Sequence, residues 1–471
     1  MKFSRTQMTA GAVLTAGVVV LSGVVSASAS PIDGAPDLGL GAKSAAVQWQ
    51  TSFDGGGRDI DAVDAVAVDG LGHVFAGGLS VAATGTQDFT VVKADVDTGT
   101  LQWRQSLPGA GTGPGVTANH VDDIVVDRRG DPVAVGVLST AAGGPDFAVV
   151  KFDGRTGSPL WQVSLRGNAP GQQDEAKAVV VDTNGNVYAG GYVFDSGSFE
   201  VFTVVKIDGR SGRVVWRRAL RGTGQLYNTQ VNALALDPSG NLVAAGSIVD
   251  AVQGEQFTVA KFDARTGKAL WRRDLTGHAA RPNNLQDEAY TVSIDHAGNV
   301  IAAGTVINDG TQADLFVVKL NGTTGTELWR RSLDSGSRST DLAHAVTVDD
   351  TGDVVVAGVS TGNGPNRFVV AKLTGATGSV RWRTSLVGGE ARSVLVVAGK
   401  VVAAGELGDD FVVETFDITT GTRVRDIRID GPSHGFDYAF DVTAADGGLI
   451  VGGSVQRAGT SSDFTLARLA T

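Results

Sequence analysis

Short apolar runs, alternating or continuous, recur from about residue 45 to the C-terminus, each bounded by Gly, Asp, Asn or Ser. Runs of this length and period are strand signals, and no helical periodicity appears after the first thirty residues. Between residues 174 and 220 the pattern predicts four strands, at about Ala176–Val181, Val187–Val193, Glu200–Ile207 and Val214–Leu220. A D-x-x-G-N turn (Asp182 to Asn186) joins the first two, and a D-x-x-[ST]-G turn (Asp208 to Gly212) joins the last two. Both place Gly where a tight hairpin needs positive φ. The other connections, from second to third strand and from unit to unit, are longer and vary in sequence.

The same unit repeats through the chain. All seven tryptophans occupy one position of it: Trp49, Trp103, Trp161, Trp216, Trp271, Trp329 and Trp382, at intervals of 53 to 58 residues. Arg425 takes that place in an eighth unit. A period of this length with four antiparallel strands per unit predicts propeller blades of WD40-like architecture. The ends set the blade count. The chain begins its repeats with an isolated fourth strand, Ala45–Phe53, and stops after a third strand, Asp463–Leu469. Joined, they make one composite blade. The expected fold is therefore all-β: an eight-bladed β-propeller of four-stranded antiparallel blades over residues 45–471. An N-terminal outer strand completes the C-terminal blade, and such a ring leaves no open stack edge.

Composition adds location and limits partners. Residues 1–30 read as a Sec-type signal peptide: Lys2 and Arg5 are basic, Ala10 to Val25 is apolar, and Ala27-Ser28-Ala29 is a small-residue cleavage site. Residues 31–44 would be a flexible mature N-terminus. A secreted or cell-envelope location follows, and with no cysteine in the chain neither a lipid-anchored N-terminal Cys nor a disulfide is available. The net charge of −11 becomes −13 once that segment, with two basic and no acidic residues, is removed. This argues against nucleic acid or an anionic membrane surface as partner. No later run is long and apolar enough to span a bilayer, and a monomer is expected.

The recurring residues have architectural and functional readings. Tryptophan on the outermost strand is expected to dock blades by covering the preceding one. The Arg that follows it (Arg104, Arg217, Arg272, Arg330, Arg383) would point away from the indole face and guard an edge strand. A Lys ends the third strand (Lys93, Lys151, Lys206, Lys261, Lys319, Lys372; Arg468 in the last unit), near the Asp that ends the first. Ion pairs or hydrogen bonds to turn carbonyls are the expected use. Acidic residues also recur just before the innermost strand: Asp61, Asp174, Asp287, Asp341, Asp437 and, aligned less closely, Glu390. They could ring the channel mouth and hold a cation or a basic partner, or each could cap the backbone of its own incoming loop.

Other motifs carry less. Arg129-Gly130-Asp131 lies in an ordinary hairpin turn, and the six histidines show no metal-type spacing. No G-x-S-x-G elbow, phosphate-binding Gly loop or catalytic cysteine is present.

The phrase K-x-D-x-x-T-G-x-x-x-W, as in KFDARTGKALW (Lys261 to Trp271), resembles the tryptophan-docking motif of pyrroloquinoline-quinone-type (quinoprotein) propellers. The other half, as in DEAKAVVVDTNGNVYAGG from Asp174, is similar to bacterial β-propeller (SBBP-type) and delta-sixty-type repeats. The resemblance implies that Asp263, Thr266, Gly267 and Trp271 and their counterparts lock neighbouring blades. It also implies, for the enzymes of that family, a quinone held by a disulfide ring and a tryptophan, with calcium and an Asp base. Here Cys is absent and each Trp has a docking role, so neither calcium nor pyrroloquinoline quinone is supported by the residues. The reading is a non-catalytic binding scaffold with a protein or glycan ligand on the longer-loop face. The competing reading is a divergent quinone- or metal-dependent oxidoreductase, or a hydrolase, using the acidic channel mouth.

Overall fold

The computed structural model describes residues 46–57, 59–109, 119–140, 144–169, 172–195, 199–224, 228–277, 286–336, 339–362, 364–432, 435–457 and 462–470. The expected signal peptide and the segment 31–44 lie outside the described residues, as do His278 and His434. Among the described residues no helix is long and apolar enough to cross a membrane.

Strands of alternating polarity, closed by the tight turns read above, form eight four-stranded antiparallel units. Their innermost strands are Ala62–Val68, His120–Val126, Glu175–Val181, Gln230–Leu236, Glu288–Ile294, Thr340–Val348, Gly389–Val397 and Tyr438–Ala445, here blades 1 to 8. Blades 5 and 6 are linked by one parallel bridge, Ala313 to Thr340. Each innermost strand packs beside the next, and blade 8 packs beside blade 1. Blade 8 is the composite. Val47–Phe53 pairs antiparallel with Asp463–Ala470, with Ser52 opposite Thr465 and Phe53 opposite Phe464.

The core lies between blades. One apolar cluster joins Trp49, Ile450, Phe464 and Leu466 of blade 8 to Val63, Val66, Val74 and Val92 of blade 1. Similar clusters fill the other interfaces. Glycine on the second strand admits the neighbour: a Cβ on Gly77 would lie 2.4 Å from Val121 Cγ1, so blade 2 can approach only because none is there.

Tryptophan docks forward, not backward as expected from the sequence. Trp49 lies on Gly99, Trp103 on Gly157, Trp161 on Gly212, Trp216 on Gly267, Trp271 on Gly325, Trp329 on Gly378 and Trp382 on Gly421, each glycine belonging to the following blade. The reason is the acceptor. Each indole N–H donates to a turn carbonyl of that following blade (Val96, Gly154, Gly209, Ala264, Gly322, Gly375, Ile418) at 2.9–3.2 Å. The turn is held open for it by its own Asp, as where Asp263 Oδ1 accepts from Thr266 N at 2.7 Å and Thr266 Oγ1 at 2.6 Å. In blade 7 the Arg425 guanidinium instead donates to the Ala470 carbonyl of blade 8.

The lysines serve both uses expected of them. Lys151 Nζ is 2.6 Å from Asp127 Oδ2 in its own blade and 3.1 Å from the Gly209 carbonyl of the next. Lys319 repeats this with Asp295 and Gly375, at 2.8 and 2.7 Å. Removing the carboxylate alone would strand a buried ammonium, so these pairs fix geometry more than they add stability. Asp131 of the Arg-Gly-Asp tripeptide accepts from Gly154 N at 3.0 Å and stands 3.7 Å from Lys151, a structural assignment in the hairpin.

Candidate functional site

The acids chosen from the sequence do not converge. Asp61, Asp174, Asp287 and Asp437 are fully buried, and each carboxylate accepts two backbone N–H bonds at 2.5–3.0 Å. One donor leaves the preceding outer strand (Gly55, Gly167, Gly277, Gly431). The other lies at the end of the second strand (Val81, Phe194, Ile307, Gln456). Asp341 makes the loop-side half of this arrangement, accepting from Ser335 N at 2.7 Å through Oδ2. Each Asp thus ties its own incoming loop to its blade. Burial raises Asp61 to about 6 and shifts Asp174 and Asp437 upward. Blades 2 and 4 use Asn119 and Thr229 at this position: Asn119 Oδ1 accepts from Ser139 N at 2.7 Å and Thr229 Oγ1 from Val249 N at 3.1 Å.

Glu390 belongs elsewhere, and does not share the position of the five aspartates as the sequence suggests. Gly389 holds their position, because the blade 6 to 7 connection is short, and Glu390 falls one residue later on the inner strand. Its neighbours are His344 Nε2 at 3.0 Å and Arg392 at 3.5 Å. Burial favours the neutral acid, but the close His344 imidazole and the charge of Arg392 outweigh it and hold Glu390 down at about 2.

That one-residue offset points to the group missed from the sequence. Every inner strand carries a register shift near its start, as between Val121 and Asp123 or Ala176 and Ala178. The side chains flanking it meet those of neighbouring blades around the axis. Gln230 and Asn232 donate to Glu288 Oε1 at 2.8 and 2.7 Å. Tyr290 packs on His344, ring centroids 6.2 Å apart, and Arg392 lies over Tyr438 and Phe440 at 5.8 and 5.2 Å. Phe436, Tyr438 and Phe440 form a stacked strip, with centroids 6.4 and 5.9 Å apart. It runs from the open long-loop face, where Phe436 is 62% exposed, onto the inner strand.

Across the axis the lining is ionic. His120 Nε2 stands 3.1 Å from Asp122 Oδ2, and Lys177 Nζ stands 2.8 Å from Glu175 Oε1. Glu175 Oε2 also accepts from Tyr192 Oη at 2.7 Å and Gln173 Nε2 at 2.9 Å. Burial, helped by the charge of Asp122 and opposed by His120 and Arg392, drives Asp64 up to about 8. For Glu175 burial pushes upward too, but Lys177 and His120 overcome it and hold the group at about 2. For His120 burial opposes the charge, while Asp122, Glu175 and Asp64 together raise it to about 10.

Two further acids latch blades from below this layer. Asp123 Oδ2 accepts from Val179 N at 2.8 Å, and Asp441 Oδ2 from Val66 N at 3.1 Å, each in the following blade. Asp441 Oδ1 also accepts from Ser393 Oγ at 2.9 Å. Burial raises Asp441 to about 7, against about 3.9 for an unfolded Asp. A pKa raised on folding means that the folded state binds the proton more tightly. The contribution is therefore full below about pH 4 and is lost as pH rises towards 7, a change on the order of 4 kcal/mol. Chemical-denaturant melts at pH 5 and pH 8 should show lower stability at pH 8. Asp441→Asn should have a distinctly flatter profile, and an unchanged slope in that variant would remove Asp441 as the source.

Fold and axis together define a tryptophan-docked β-propeller with a polar, titratable centre. The family profile described as "Outer membrane protein assembly factor BamB" matches residues 37–307 and 313–428. That is well over half of the chain, which belongs to this family of PQQ-like repeat proteins. Among solved structures, the quinohemoprotein alcohol dehydrogenase of Comamonas testosteroni is similar at 13% identity and a TM-score of 0.57, covering 89% of this chain and 76% of that one. The Dos1 propeller is similar at 11% identity and 0.56, covering 90% and 94%. Sqt1 of Chaetomium thermophilum, solved bound to the N-terminus of ribosomal protein L10, is similar at 12% and 0.55, covering 89% and 98%. At these identities the likeness shows the fold alone. No curated protein sequence matches significantly.

Proposed function

We propose that this chain is an exported, monomeric, non-catalytic propeller that captures a protein segment on its long-loop face. The observation that carries the reading is the aromatic strip. Phe436 stands open to solvent and continues through Tyr438 to Phe440, beside the Arg392 guanidinium. A large exposed aromatic backed by a rigid strand is the usual form of a binding anchor. Ile60, Val252 and Val387, all at least half exposed, lie in loops or strand ends of the same face. Export is supported by the Sec-type reading of residues 1–30. The family description names an assembly factor, and the Sqt1 structure pairs such a ring with a peptide terminus.

The residues do not fit a quinone. All seven indoles lie on docking glycines with their N–H groups bonded to carbonyls, and the chain has no cysteine to form a disulfide ring. The test is photo-crosslinking in the producing cell, with a photoreactive residue at position 436 or, on the opposite hairpin face, at the equally open Leu71. A discrete protein adduct from position 436 and none from 71, lost in an Arg392→Ala background, is expected. Equal labelling from both sites, or none from 436, would overturn the proposal.

A further inference from the structure

We propose that His120, Asp122 and Glu175 bind a divalent transition-metal ion of the zinc class beside the axis of the ring. One ligand atom from each lies within 4.8 Å of the others, the one such cluster among the described residues. His120 and Asp122 flank the register shift of blade 2, and Glu175 holds the position of His120 in blade 3, so two rigid inner strands supply the donors. Ligands of a tetrahedral zinc stand roughly 3.3 Å apart, so side-chain rotations of about 1 Å would close the set. One imidazole nitrogen and two carboxylate oxygens suit zinc or cobalt, whereas calcium asks for six to eight oxygens.

An ion pair alone leaves two oxygens unexplained. Asp122 is 6% exposed, and its Oδ2, though 3.1 Å from His120, accepts no well-directed hydrogen bond. Asp64 is 5% exposed, projects from the neighbouring blade 1, and has an Oδ2 with no hydrogen-bond partner. Its electrostatic partners are His120, Asp122 and Arg392. Buried acceptors left unmatched are costly, and a bound cation would remove that cost. Glu175 is braced for a ligand's role. Tyr192 and Gln173 both donate to its Oε2 and fix the carboxylate, while Oε1, with Lys177 as its one partner, keeps a lone pair for a cation, as bonded second partners do around metal carboxylates. Asp64 lies outside this three-residue cluster but close enough for its charge to act on His120 and Asp122.

The test is direct metal binding by the full chain, purified without a polyhistidine tag and stripped with a chelator. Titration with zinc should show one equivalent bound and a raised Tm, and cobalt should give the visible absorption bands of a low-symmetry site. His120→Ala and Asp122→Asn should each weaken binding at least tenfold. His344→Ala, which alters the other described axial histidine, should leave it unchanged, and circular dichroism of each variant checks folding. Calcium preferred over zinc, no stoichiometric binding, or binding indifferent to both His120→Ala and Asp122→Asn would overturn the proposal. Because the readout is metal content and spectrum, it is independent of whether the open face binds a protein.

Discussion

Deleting residues 43–54 is expected to abolish the cooperative folded state, or to lower its stability by more than any point substitution. The deletion removes the outer strand of blade 8, Val47–Phe53, and with it the ladder to Asp463–Ala470. It takes away the buried Trp49 with its 2.9 Å bond to Val96 O in blade 1, and the Phe53–Phe464 stack at a centroid separation of 4.4 Å. The ladder bonds contribute about 1 kcal/mol each and the tryptophan about 3–5 kcal/mol, a sum comparable to the whole stability of an ordinary domain. Calorimetry of the shortened chain should show no cooperative transition, or one displaced far downward. Retention of the parent melting curve would show that the terminal strand is dispensable.

Trp271→Ala should have the next largest effect, about 3–5 kcal/mol, because a cavity opens between blades 4 and 5 where the surrounding strands are rigid. Trp271→Phe separates the terms: most apolar area remains, while the 3.2 Å bond to Gly322 O is lost, for about 1 kcal/mol. Gly325→Ala tests the other half of the joint. Its added Cβ would lie 2.6 Å from the indole at a φ of +68°, so the substitution should also destabilise, although it enlarges a side chain. Denaturant midpoints at constant slope measure all three. If Gly325→Ala were neutral, the indole would not be seated on that turn.

Much of this architecture can be read from residue spacing. The strands around Ala176, Val187, Glu200 and Val214 fall where the apolar runs and the Asp/Gly turns put them, because hairpins this short leave no freedom of register. The composite blade also follows from spacing, since one unmatched outer strand at the start and three strands at the end allow one closed arrangement. The direction of docking does not. Trp271 repeats identically whether it leans on blade 3 or blade 5, and only the position of the Gly322 carbonyl decides.

The axial residues were illegible for a related reason. A repeat shows what recurs, and the side chains before the inner register shift vary: Ala62, His120, Glu175, Gln230, Glu288, Leu342, Glu390 and Tyr438 share one position, with Glu in three blades and a different residue in each of the others. The recurring Asp61, Asp174, Asp287, Asp341 and Asp437 hold the frame, while the varied positions beside them bear the candidate chemistry. The signal available was that variation itself, polar residues placed at a strand start where a purely structural position would be apolar.

Because the chain contains no cysteine, the closure of the ring can be measured without interference. Ser52 and Thr465 face each other across the terminal ladder with their hydroxyl oxygens 2.8 Å apart. Ser52→Cys with Thr465→Cys should oxidise to a single intramolecular disulfide, seen as a two-proton mass loss and faster non-reducing migration, with a higher Tm than the reduced form. Two free thiols under the same oxidant, or disulfide-linked dimers in place of the internal bridge, would mean that the first and last strands are not partners in one blade.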